Sequence, residues 1–203
     1  SPSSDAITLS IHRSTQAIIL SYLTKKLNLE RKKINIEVIS STLGNHIEQI
    51  LDKDNFIKAK YLINHLKTFL RHDNLLTDSS KGCIESELGC IYSSLSFPLQ
   101  ATYYFEKALL KLRKDKNKNF NKIARGLLFQ GNAYVMLSDY TKAESVLTES
   151  ICMHQNHNSH NSIKHALGLV YLGNVYKWCG KYEKAKHLLQ RSLVIYETIF
   201  PEA

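Results

Sequence analysis

The chain has 203 residues, 43% of them hydrophobic and 22% charged, the balance of an ordinary folded protein with room for one large domain or a run of repeats. No apolar stretch approaches the roughly 18 residues of a membrane span, no secretory pattern is visible, and Walker A, GxSxG and HExxH motifs are absent, which excludes the enzyme classes those motifs define. The formal net charge is +9, read as lysines spread over solvated faces, with an acidic partner as its functional meaning.

Residues 1–5 read as a flexible tail. Ile7-Thr8-Leu9-Ser10-Ile11 alternates apolar and polar, which predicts a short strand. His12-Arg13-Ser14-Thr15-Gln16-Ala17 then opens an apolar-periodic stretch from Ile18 to Leu27, which predicts a helix. With only three prolines and eight glycines in the chain, long helices are expected from there on.

From residue 40 the chain repeats. Gly89, Gly131 and Gly173 are 42 residues apart, and Tyr92, Tyr134 and Tyr176 keep the same step. Ala59, Ala101, Ala143 and Ala185 form a further column, each followed four residues later by a bulky apolar residue, Ile63, Phe105, Leu147 or Leu189. Short linkers precede the alanines: Asp54-Asn55-Phe56, Ser96-Phe97-Pro98, Ser138-Asp139-Tyr140 and Gly180-Lys181-Tyr182. Four helical hairpins are predicted, about 40–81, 82–123, 124–165 and 166–203. The glycine in each first helix permits close approach of the second, offsetting a propensity cost of about 1 kcal/mol, and Pro98 suits the first turn of a helix. The first unit departs from the pattern, with Ile47 and Ile50 in the glycine and tyrosine columns. Glu85 and Gln130 stand where apolar residues are expected, and are read as facing solvent, a partner or a neighbouring repeat. The stretches 113–122 and 154–162 are read as loops holding the extra residues of a long period.

These residues resemble the tetratricopeptide repeat family, whose unit is a helix–turn–helix of about 34 residues. The pattern is fullest in residues 172–192, and the 42-residue period is similar to that of kinesin light chains and of bacterial and fungal signalling proteins. The resemblance implies an all-α, right-handed solenoid. Ile11-His12-Arg13-x-x-Gln16 resembles the segment that closes the winged-helix region of NB-ARC-type signalling ATPases, with Ser14 and Thr15 replacing the usual apolar pair. Residues 1–39 are thus expected to be a strand–helix remnant of such a region. The absence of a capping helix after residue 200 leads to the expectation of a fragment of a longer protein.

In stacked repeats the first helices line the concave face. Counting from the glycines at helical spacing gives a stripe: Arg125, Leu128, Asn132, Val135 and Met136 in the third unit, and Leu167, Val170, Asn174, Lys177 and Trp178 in the fourth. In the second unit the same positions are Cys83, Ser86, Cys90, Ser93 and Ser94. Exposed apolar groups beside amides and cations suit a peptide groove: asparagine clamps a peptide backbone and Arg125 or Lys177 meets carboxylates. Chaperone-binding members of the family use a Lys, Asn and Arg clamp for two carboxylates; Asn132 and Asn174 stand in suitable columns here but the full set does not, so chaperone binding is not expected. Trp178 and the tyrosines are otherwise read as inter-helix packing.

Cys83, Cys90, Cys152 and Cys179 form no CxxC pair and are read as reduced thiols of a cytoplasmic protein. Cys152, His154, His157, His160 and His165 have metal-binding chemistry but no established finger spacing, and are read as a solvated loop. The basic run 111–122 contains a single aromatic residue, Phe120, so nucleic-acid binding is not expected. The expectation is a non-catalytic interaction domain without cofactor or metal, the sensor or scaffold arm of a signalling ATPase. The rival readings are a free-standing adaptor or bacterial effector, and a metal-binding module built on the histidines. Gly131→Leu or Ala143→Leu should overpack the hairpin and cost about 1–3 kcal/mol in urea unfolding.

Overall fold

The structure, a computed structural model, describes residues 56–71, 76–117, 119–157 and 162–201. The predicted strand–helix segment 1–39 and the first helix of the first unit lie outside those residues. Among the described residues there are seven α-helices and no strand: α1 (Phe56–Leu70), α2 (Asp78–Ser94), α3 (Pro98–Leu112), α4 (Phe120–Met136), α5 (Tyr140–Asn156), α6 (Ile163–Trp178) and α7 (Tyr182–Ile199). None is long and apolar enough to cross a membrane. The second helices α1, α3, α5 and α7 begin at 56, 98, 140 and 182, an unbroken step of 42. The first helices α2, α4 and α6 begin at 78, 120 and 163.

Local chemistry explains the boundaries. The Thr77, Asp139 and Ser162 side chains accept hydrogen bonds from the backbone N–H groups of Ser80, Lys142 and His165 at 3.1–3.2 Å, capping α2, α5 and α6. Asn119 before α4 works differently. Its Nδ2 donates to the Leu112 carbonyl at 3.1 Å and its Oδ1 accepts from the Ser79 hydroxyl at 2.9 Å, tying the start of the third unit to both helices of the second.

Each first helix ends in the same turn. The Phe97, Asp139 and Lys181 N–H groups donate to the carbonyls of Tyr92, Tyr134 and Tyr176, five residues back, while the N–H groups of Ser96, Ser138 and Gly180 donate to those of Ser93, Val135 and Lys177. This is the Schellman pattern, which needs a left-handed residue. Ser96, Ser138 and Gly180 supply it with φ of 60°, 59° and 72°.

The tightest packing is within hairpins: α2 on α3, α4 on α5, α6 on α7. A Cβ at Gly89 would lie 2.8 Å from the Phe105 ring, one at Gly131 2.5 Å from Leu147 Cδ2, and one at Gly173 3.1 Å from Leu189 Cγ. The bulky column therefore fills the room left by the glycine column, while Ala101, Ala143 and Ala185 are buried beside it. A second device sits one turn away. The Ser150 and Ser192 hydroxyls donate to the Ala124 and Ala166 carbonyls at 2.8 and 3.0 Å. In the second unit the equivalent residues are Ala108 and Gly82, and direct contact replaces the hydrogen bond: a Cβ on Gly82 would lie 3.1 Å from the Ala108 carbonyl oxygen.

Between hairpins, α3 packs on α4 and α5 on α6. The apolar interior is accordingly a string of linked clusters. One joins α1 and α2 through Leu62, Leu66, Ile84, Leu88 and Ile91, one joins the second and third units through Leu109, Leu112, Ile123 and Leu127, and one joins the third and fourth through Leu128, Leu147, Leu169 and Val175. Each fully buried leucine or isoleucine contributes about 1.5–3 kcal/mol.

Several expectations are corrected. Glu85 does not face solvent. It is buried and accepts from Lys111 Nζ at 2.7 and 2.8 Å within its own hairpin, because an acid at an apolar position is tolerated only with its charge paired. Gln130 is buried as well, which removes the solvent reading and leaves that of a neighbouring repeat. The stretches read as loops are helical at their edges: Arg113–Asp115 forms a 3-10 turn, α4 already starts at the buried Phe120, and α5 continues to Asn156. His154 and His165 lie on α5 and α6 and are buried, so the histidine-rich stretch is not a wholly solvated loop.

Because a non-glycine left-handed residue carries a strain of about 1–2 kcal/mol, partly offset by the larger unfolded-state entropy of glycine, Ser138→Gly should stabilise the fold by about 0.5–1 kcal/mol. Gly180→Ala should destabilise by a similar amount. Urea midpoints of the two variants would move in opposite directions.

Candidate functional site

The first helices pack on one another, α2 on α4 and α4 on α6, whereas among the described residues the second helices make no comparable contact with each other. The array is therefore packed more tightly on the first-helix side, its inner face. That inner face carries the predicted stripe, and the structure divides the stripe into three groups.

The first group is buried. Leu128 is fully inside, in the cluster shared by α4, α5 and α6, because the spacing that points it inward also places it over the seam with the next hairpin. It cannot line an open groove. Cys83, Ser86, Cys90 and Ser93 of α2 are also buried. Arg125 is buried, and its Nη1 and Nη2 donate to Glu87 Oε1 and Oε2 at 2.6 and 3.3 Å, with the guanidinium 5.4 Å from the Phe129 ring centre. The carboxylate that Arg125 meets thus belongs to this chain, and the pair joins α2 to α4.

The second group is half-buried: Asn132 and Val135 on α4, and Leu167, Val170 and Asn174 on α6. Val135 and Leu167 pack against the core between the third and fourth hairpins. Asn132 and Asn174 occupy the same column on neighbouring helices, with their side chains partly open.

The third group is exposed, at the C-terminal ends of the first helices. Ser94, Met136 and Trp178 share one column, and Lys177 lies beside the last of them. Trp178 is 62% exposed, so packing between helices does not account for it. The Lys177 ammonium sits 5.2 Å from its ring centre, a cation–π contact at the rim of the inner face.

Sequence reasoning missed two features. The column two residues before each glycine, Glu87, Phe129 and Tyr171, also lies on the inner face. Its spacing from the glycines was available as a signal, but its residue types share no chemistry. The other is the outer side of α3, where Leu99, Tyr103 and Leu110 are 69%, 51% and 73% exposed. The equivalent residues of α5 are Thr141, Ser145 and Cys152, so this apolar stripe is not repeated in the third unit.

The tyrosine column braces the face from behind. The Tyr134 hydroxyl donates to Glu106 at 2.9 Å and that of Tyr176 to Glu144 at 3.0 Å, each reaching the second helix of the preceding unit. Burial, then the Glu106 hydrogen bond, push the Tyr134 phenol up to about 12. Tyr92 instead stacks on Tyr104, with centroids 5.5 Å apart and rings nearly parallel. All four cysteines are free, Cys152 and Cys179 being exposed, and among the described residues no group of three or more histidine, cysteine or acidic side chains could hold a metal.

Helical hairpins stacked in constant register, with a continuous face formed by their first helices, define a helical-repeat protein. Residues 166–202, covering α7 and all but the first three residues of α6, match the family model described as Tetratricopeptide repeat. That match supports a tetratricopeptide family for the hairpins, whose other members carry the same columns 42 and 84 residues earlier. A search of the curated proteins finds no match.

The Arg125–Glu87 pair predicts a specific asymmetry. Glu87→Ala should cost about 3 kcal/mol by leaving a buried guanidinium without its counter-charge, whereas replacing both residues with methionine should cost much less. Urea unfolding of the single and double variants would show whether the two charges are coupled.

Proposed function

We propose that this chain is a protein-interaction module that holds an extended peptide, or an extended segment of a protein, along the inner face of its first helices. The observation that carries the reading is the open rim formed by Trp178, Lys177 and Met136 beside the partly open amides of Asn132 and Asn174. The amides offer paired donors and acceptors to a peptide backbone. Trp178 and Met136 offer apolar surface to a partner side chain. Lys177 is the cation of the stripe that Glu87 does not neutralise, so it favours a carboxylate on the partner. The net charge of +9 speeds association with acidic segments in the same sense.

Within this reading we place the module in the cytoplasm as the non-catalytic sensor or scaffold arm of a signalling ATPase. That step is supported by the likeness of Ile11, His12, Arg13 and Gln16 to the end of a winged-helix region. A free-standing adaptor or an effector acting on host proteins is the competing context, and the exposed stripe on α3 would suit it as a second docking surface.

Trp178 is the one tryptophan of the chain, so its emission reports on the rim directly. Displayed peptides selected on the native chain should shift that emission to the blue. They should lose at least about tenfold in affinity when Asn132, Asn174, Lys177 and Trp178 are changed to alanine, with helical circular dichroism retained. Peptides that bind the quadruple variant equally and leave Trp178 emission unchanged would move the site to α3 or elsewhere.

A further inference from the structure

The two seams between the last three hairpins are built in the same register from different chemistry. At the α3–α4 seam, Leu112 and Ile123 are fully buried. At the α5–α6 seam, the residues 42 positions later are His154 and His165, which are 3% and 1% exposed. Their ring centres are 6.0 Å apart, and the rings meet edge to face. Phe120 approaches His154 edge-on at 6.0 Å, with its other side stacked 3.7 Å from His157. Among the described residues, neither ring nitrogen of His154 has a hydrogen-bond partner. A neutral imidazole tolerates such an aromatic box; an imidazolium would lose both its hydration and any counter-charge.

The charged and titratable groups around His154 oppose its protonation. From α6 it faces His165 and the Lys164 ammonium. From α4 it faces the uncharged Phe120, and on α5 itself His157 lies beyond that ring. The α5 carboxylate closest to His154 in sequence, Glu149, is exposed and held at 2.7 Å by Arg113. Burial first, then Lys164, hold the His154 imidazole below the usual histidine range.

We propose that the seam between the third and fourth hairpins is a pH-sensitive hinge, in which protonation of His154, packed against His165, loosens α6–α7 from α4–α5 while the Leu112–Ile123 seam stays closed. The sign follows from the chemistry. A base whose charged form is disfavoured in the closed seam leaves that seam at full stability above the ordinary histidine pKa of about 6.5, and stability falls as pH drops below it. The hinge also has a consequence that rests on the proposed peptide site. Asn132 and Met136 lie on one side of it, and Asn174, Lys177 and Trp178 on the other, so acidification would split the inner face.

The test is hydrogen exchange of the whole 203-residue chain at pH 7.5 and 5.5, corrected for intrinsic amide rates. Opening of the α6 amides should increase by up to about tenfold for each pH unit below 6.5, with the α4 amides around Ile123 unchanged. The variant H154L/H165I, which copies the neighbouring seam, should abolish the difference. The proposal is overturned if α6 protection is the same at both pH values, or if both seams loosen equally. Should that variant not fold, proton NMR titration of the native histidines decides: His154 protonating at or above the ordinary imidazole value overturns the hinge. Because exchange is read without any peptide, failure of the binding site would leave this result standing.

Discussion

The contact on which everything else rests is the meeting of a missing side chain with a large one inside each hairpin. Gly89 faces Phe105, Gly131 faces Leu147 and Gly173 faces Leu189, 16 residues further along the chain in every case. A first helix with any Cβ at that point would have to retreat, and the second helix with it. The distance between the two helices is therefore set by a side-chain volume, and three hairpins of nearly equal dimensions follow. Stacking them in register then needs only the repeated turn at Ser96, Ser138 and Gly180, which sends each second helix off at the same angle.

Within that constant frame the seams differ. The second and third units are joined by Leu112 and Ile123, by the Asn119 bridge and by the Arg125–Glu87 pair; the third and fourth share the Leu128–Leu169 cluster, but in the Leu112–Ile123 register they meet through histidines in an aromatic setting. Buried charge and buried imidazole add little to stability compared with aliphatic side chains of the same volume. Their presence makes the array uneven, stiff between some hairpins and responsive between others. A module that wraps an extended segment depends on the relative placement of its hairpins, so this unevenness acts directly on the face that would do the binding.

That face is narrower than the count of first-helix positions suggests. Adjacent first helices pack closely enough to bury most of the α2 column and the N-terminal half of the α4 column. What remains open runs along the C-terminal ends of the helices and widens toward the fourth hairpin. Recognition there would depend on a few groups of high information content, an indole, an ammonium and two amides. This agrees with the general finding that a handful of residues dominate an interface.

The hairpins, their 42-residue step and the glycine, alanine and bulky columns were legible in the residues alone, because close packing of two helices constrains individual positions that recur at a fixed interval. Helix ends were less legible. The runs at 113–122 and 154–162 look like loops by composition, yet Phe120 and His154 are drawn into helices by apolar partners that are distant in sequence. Which members of the inner stripe face a partner was decided only by the tertiary structure. A column at helical spacing says that residues share a face of one helix, but Leu128 is buried and Arg125 is paired because of helices that arrive from the neighbouring units. The reason is physical: a repeat register records contacts made identically in every hairpin, whereas burial at the seams depends on contacts between hairpins whose residues differ from one seam to the next.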